Sequence, residues 1–209
     1  MIVHVALSDD LRTRWLQLLP DAVGLGEALL ARWDEPHRRY HNQRHLLEVL
    51  QAVDLLAGEA SDPTAVRLAA WFHDAVYAGQ PDDESRSAVL ATTALSEGVE
   101  ASRVAQVARL VEMTRQHDPA ADDRDGCVLN DADLAVLAAT PDRYRDYTAA
   151  IRQEYAHVPD EGFRPGRAEV VRTLLARPRL FRTRYGYERW EPAARRQLRH
   201  ELQALTGSR

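Results

Sequence analysis

The stretch Trp71-Phe72-His73-Asp74-Ala75-Val76-Tyr77 decides the fold. It is apolar except for an adjacent histidine and aspartate, and Val66-Arg67-Leu68-Ala69-Ala70 before it is mostly apolar too. Asp62-Pro63 supplies a helix start, with Asp as N-cap and Pro at the first helical position. The pattern predicts a helix over about 64–77, apolar nearly all round and therefore buried. An imidazole and a carboxylate placed there cost free energy unless they are paired, hydrogen-bonded or bound to metal. A self-satisfied His–Asp pair is one solution and a pair of metal ligands is another, so the surrounding chain decides between them.

Upstream, Asn42 is placed to cap a helix reaching about residue 57. Leu46, Leu47, Val49, Leu50, Val53, Leu55 and Leu56 give that helix a broad apolar face, and Gly58 closes it. His45 then falls in its first turn, close to His73 if the two helices pack antiparallel. Ser8-Asp9-Asp10 can cap a first helix that carries Leu11, Trp15, Leu18 and Leu19 on one face. A second helix covers about 23–33 and is ended by Pro36. Downstream, 78–83 reads as a loop. Helices follow over about 84–96 and 101–116, the latter terminated by His117-Asp118-Pro119, and 120–126 is a polar loop. The run 128–137 could form a short strand, but Leu134, Leu137 and Ala138 also fit a helix, and a helix containing or just following Asp131 is favoured. Thr140-Pro141 restarts a helix to about 155, with Tyr144, Tyr147, Ile151 and Tyr155 at near-helical spacing. After a loop over 157–165, two last helices are expected at about 166–176 and 192–205. Alternating strand patterns are essentially absent, so the class is all-α.

At 209 residues the chain is long enough for one substantial core. The expectation is a single domain over 1–209, with a motif core at about 30–155 and the C-terminal helices packed on it. A hydrophobic share of 45% and a charged share of 28% exclude wholesale disorder. The net charge of −5 provides no global basic field for nucleic acid. All 27 basic residues are Arg and none is Lys, which codon bias explains, so arginine abundance is no argument for phosphate binding. Cys127 is the only cysteine, which rules out an intramolecular disulfide and suits a reducing compartment. No segment reads as a signal peptide or a membrane span, so a soluble cytoplasmic protein with no membrane partner is expected. The sequence leaves the oligomeric state open.

His45, His73, Asp74 and Asp131 are the candidate metal ligands, each group brought by a different predicted helix or helix end. Two imidazoles and two carboxylates suit one borderline divalent ion such as Mn, Fe, Co, Ni or Zn. The interior of a helical bundle is a normal place to build such a site. This H…HD…D pattern resembles the HD-domain superfamily, and most closely its branch of predicted metal-dependent phosphohydrolases. Tyr40-His41-Asn42-Gln43-Arg44-His45-Leu46, the 71–77 stretch and Asp131-Ala132-Asp133-Leu134 are similar to the branch's motifs, and Ile151-Arg152-Gln153-Glu154-Tyr155 also has its look. The resemblance covers about 30–205. It implies an all-α HD-type bundle with a central metal site and hydrolysis of a small phosphorylated molecule such as a nucleotide. It does not name the substrate.

On this reading Asp74 links the metal to the attacking water. Glu84 is a candidate proton-transfer group, although acids at 82–84 also suit a helix N-terminus. The family's acid shortly after the HD pair is replaced here by Tyr77. A single histidine, His117, lies between the HD pair and Asp131, which favours one metal with His117 near the substrate phosphate. Arg44 and Arg152 are candidates for phosphate because guanidinium matches its geometry. His41, one turn before His45, is a candidate for substrate binding, with simple surface exposure near the helix start as its other reading. The alternatives are an HD-fold di-iron oxygenase and a non-catalytic metal- or ligand-binding protein.

Overall fold

The computed structural model describes residues 2–207. Among these residues the chain forms ten α-helices and no strand. They are α1 (Ile2–Leu18), α2 (Val23–Trp33), α3 (Gln43–Leu56), α4 (Pro63–Phe72), α5 (Asp83–Leu95), α6 (Ala101–Met113), α7 (Arg124–Asp133), α8 (Pro141–Glu154), α9 (Asp160–Ala176) and α10 (Glu191–Thr206). None of them is long and apolar enough to cross a membrane.

Local signals place three of the starts. The Asn42 side chain accepts from the backbone N–H groups of Arg44 and His45, and Asp62 does the same for Thr64 and Ala65. Thr140 accepts from Arg143 N–H. Each satisfies N–H groups that a helix end leaves without an intrahelical partner. Three starts differ from the sequence pattern. Ser8 lies inside α1, where its hydroxyl donates to Gln43 Oε1 at 2.7 Å instead of capping. Asp123 caps α7 through Gly126 N–H, so that helix begins within the expected loop. α9 begins six residues early, at Asp160, with Pro165 inside it; Asp160 and Glu161 suit the positive end of the helix dipole.

The deciding stretch also differs from expectation. α4 stops at Phe72, and His73 and Asp74 lie in the turn that follows. The cause is tertiary. Buried Arg38 donates to the carbonyls of Asp74 at 2.8 Å and Ala75 at 3.4 Å, drawing them away from helical bonding. Ser87 Oγ then accepts from Val76 N–H, and Asp83 Oδ2 accepts from the N–H groups of Ala78 and Gln80.

Two apolar cores result. The larger is built from α1 to α7, with α4 at its centre against α3, α5, α6 and α7. Trp15, Trp33, Trp71 and Phe72 are fully buried in it. The smaller joins Tyr40 to α8, α9 and α10 through Tyr147, Ile151, Val171, Phe181 and Leu198. Trp190 packs against both. A single 3-10 segment, Leu134–Ala138, leads from α7 towards the second core, so the end of α7 lies on the seam.

Candidate metal centre

Helix ends deliver His45, His73 and Asp74 to that seam, together with Asp133 from the end of α7. His45 is in the first turn of α3 and His73 follows α4; both are buried. The Nδ1 of His73 lies 2.9 Å from Ala70 O. A carbonyl only accepts, so Nδ1 carries a proton and Nε2 is the atom left for coordination. The two Nε2 atoms of His45 and His73 are 3.3 Å apart. Asp74 Oδ2 lies 3.2 Å from His73 Nε2 and 3.9 Å from His45 Nε2. Ligands about 2.0–2.2 Å from one ion stand roughly 2.8–3.1 Å apart at octahedral angles and roughly 3.3–3.6 Å apart at tetrahedral ones. The His45–His73 and His73–Asp74 spacings match these values, the His45–Asp74 spacing of 3.9 Å is wider, and the three side chains together could hold a metal ion.

The α7 carboxylate that lies beside the two histidines is Asp133, whereas Asp131 was the one expected there. Asp133 Oδ1 is 3.1 Å from His45 Nε2 and 3.6 Å from His73 Nε2. Residues two apart on a helix point about 200° apart, so only one of the pair can face the histidines. Asp131 faces the segment before α10 instead. It is fully buried and accepts from Asn130 Nδ2, from the N–H groups of Arg182 and Thr183, and from Thr183 Oγ1. A Cβ added at Gly186 would come within 2.6 Å of Asp131 Oδ2, so this close approach requires glycine. Asp131 therefore pins the 180–186 segment to α7 and has no lone pair turned towards the histidines.

Electrostatics follow the packing. Burial disfavours charge on His73, but Asp74 and then Asp133 outweigh it and hold the imidazole pKa well above its ordinary value. Burial pushes His45 the other way. Burial also opposes ionisation of Asp74 and Asp133, yet His73 leads the effects that keep both carboxyls below the usual range. Two partly buried carboxylates thus call for positive charge among them, which the His73 proton supplies and a divalent ion could supply in its place.

His41 sits beside the cluster, with Nε2 4.0 Å from Asp74 Oδ2. Its Nδ1 meets Glu154 Oε2 at 2.7 Å. Glu154 also accepts from the backbone N–H groups of Arg39, Tyr40 and His41 and from Tyr77 O–H. One carboxylate at the end of α8 thereby fixes the loop before α3 and orients His41. Sequence reasoning singled out the 151–155 stretch but assigned Glu154 no role, and it missed Arg38 altogether.

The remaining candidates separate. His117 reaches the site, with Nε2 3.5 Å from Asp133 Oδ2 and Nδ1 buried without a partner. Its positive φ of 50° is the turn that carries it there from the end of α6. Glu84 is half-buried on α5, and burial first, then the Asp74 charge, push its carboxyl up. Arg44 is exposed and paired with Glu48 on its own helix, facing solvent. Arg152 is engaged by Asp160 and by the carbonyls of Tyr155 and Val158, so it braces a loop and is not turned to a phosphate site.

A cavity of about 590 Å³ lies between α8 and α9 and reaches the cluster at Asp133. Tyr40, His41, His117 and Asp133 form its polar end. Nothing in the sequence pattern announced it. No protein-family model, curated protein or solved structure matches the chain.

Proposed function

We propose that the chain is a metal-dependent phosphohydrolase acting on a small phosphorylated molecule, with His45, His73, Asp74 and Asp133 as ligands of one divalent transition-metal ion. The observation that carries this reading is the clustering of the two imidazole Nε2 atoms with Asp74 and Asp133, of which Asp133 also lines a cavity. The donor set suits a borderline ion. With Asp133 as its last member, the set also keeps the H…HD…D order.

A bound ion would supply a water of lowered pKa and polarise a phosphoryl oxygen. The chain's own groups do the rest. Asp74 accepts a hydrogen bond from the attacking water and orients it towards phosphorus. His41 presents Nε2 to the same space because Glu154 holds Nδ1, and it gives a proton to the leaving oxygen as the ester P–O bond breaks. His117, whose Nε2 lies 3.5 Å from Asp133 Oδ2, stands beside the transferred group.

The test is hydrolysis of a panel of phosphorylated metabolites by protein stripped of metal and reloaded with Mn, Fe, Co, Ni or Zn. Turnover is expected only with metal, and His73→Ala and Asp74→Ala are expected to abolish it while helicity is kept. Full activity in metal-loaded Asp74→Ala would overturn the mechanism. One observation favours a second reading. Asp133 turns Oδ1 to His45 and Oδ2 to His117, as a carboxylate bridging two ions does. Two iron atoms per chain would support the di-iron oxygenase alternative.

A further inference from the structure

The cavity beyond the metal cluster is built for an apolar group. Leu134, Leu137, Ile151, Phe163, Val170 and Leu174 form its walls. Val170 is 49% exposed and Tyr155 40% exposed, so apolar surface continues to the mouth. A volume of 590 Å³ falls within the roughly 300–1,000 Å³ of cavities that enclose small ligands. Gly162 and Gly166 lie one turn apart on α9 and both face this space. A Cβ added at Gly166 would meet nothing within 4 Å.

Charge is scarce in the cavity. Its one arginine, Arg167, is committed to Glu201 at 2.7 Å and to Tyr147 O–H at 2.9 Å. A di- or triphosphate chain needs cations that this lining does not offer. The polar end holds a second unmet group besides His117 Nδ1. Tyr40 is 6% exposed, lines the cavity and has a buried hydroxyl with no partner. An unpaired buried hydroxyl is costly, and a ligand oxygen would satisfy it.

We infer that the substrate is a single-phosphate ester of an apolar alcohol, its hydrocarbon part lying between α8 and α9 and its ester end at Tyr40 and the metal ligands. This deepens the hydrolase reading and rests on it for the position of the phosphate. The reaction is water adding to phosphorus, the P–O ester bond breaking and the apolar alcohol leaving with a proton. Each methylene buried is worth about 0.8 kcal/mol, or about fourfold in binding.

The experiment uses metal-loaded full-length protein and two matched series from methyl to octyl. Alkylphosphonates, which cannot be hydrolysed, are measured by titration calorimetry. Alkyl phosphates are measured by phosphate release. The inference expects the phosphonate Kd to fall about threefold to fourfold per methylene until the cavity fills, with a negative heat-capacity change. The substitution Gly166→Leu is expected to reduce the octyl-to-methyl affinity ratio at least tenfold. Its thermal melt checks that the fold is intact, and Val170→Asp serves as a second variant. An affinity independent of chain length overturns the inference, whether or not phosphate is released. Steep chain-length dependence without any phosphate release supports the apolar ligand class and overturns the hydrolase reading.

Discussion

The two cores are built on different plans. The core around α4 is dry and closely packed, with indole, phenyl and leucine side chains at 0–3% exposure and its ion pairs kept at the surface. The core of α8 to α10 is lined with tyrosines, holds the Arg167–Glu201 pair at 10% exposure on both sides, and leaves a cavity. The first plan gives fixed positions, which ligands about 2 Å from an ion require. The second gives room for a ligand, at the cost of buried polar groups that must satisfy one another. The proposed metal lies where the two meet, so the rigid half supplies coordination and the open half supplies selectivity.

The contrast can be broken most directly by truncation. Leu50→Ala, in the dry core, is expected to cost about 2–5 kcal/mol by chemical denaturation. Leu174→Ala, beside space that already exists, is expected to cost less than about 2 kcal/mol. Equal costs would erase the distinction. The polar network is the next target. Arg167→Ala leaves the largely buried Glu201 with Tyr144 O–H but without its cation and is expected to cost about 3–5 kcal/mol, whereas Arg167→Met with Glu201→Leu recovers most of that loss. A double variant as unstable as the single one would show that the pair itself stabilises this half.

Glu154 ties the halves together and makes the link dependent on pH. Burial opposes its ionisation, but the bond to His41 and the backbone N–H groups bring its carboxyl down to about 2. Its folded pKa lies below the ordinary carboxylate value, so its stabilisation is present above about pH 4.5 and is lost as pH falls towards 2. The difference in unfolding free energy between the parent and Glu154→Gln should therefore shrink by about 3 kcal/mol across that window. A constant difference would remove Glu154 as the link. The smallest effect is expected at Arg44→Ala. Its pair with Glu48 is exposed on α3, so stability should change by less than about 0.5 kcal/mol and turnover should not change.

What was legible in the sequence followed how local the cause was. Asn42, Asp62-Pro63 and Thr140-Pro141 act within one turn, and the helices they start were readable. The end of α4 was not, because Arg38 sets it from 36 residues away. His45, His73 and Asp74 were found from their polarity in apolar surroundings. Asp131 and Asp133 were indistinguishable by that criterion, since both precede an apolar run and differ only in the face they occupy. The 180–186 segment claims Asp131, and no pattern within α7 records that contact. The cavity is space left by Gly162, Gly166 and the tilt of neighbouring rings, which has no residue signature of its own.

The central claim is that Asp133, with His45, His73 and Asp74, holds the metal, while Asp131 holds the chain. Titration calorimetry of Mn²⁺ or Zn²⁺ into metal-free Asp133→Asn and Asp131→Asn tests it directly. The account predicts that Asp133→Asn binds at least about a hundredfold more weakly than the parent, since even outer hydrogen-bond partners of ligands are worth 10–100-fold. Asp131→Asn should bind within about threefold of the parent but unfold about 1–3 kcal/mol more easily, from the impaired bonds to Arg182 and Thr183. Loss of metal from Asp131→Asn, with affinity retained in Asp133→Asn, would contradict it.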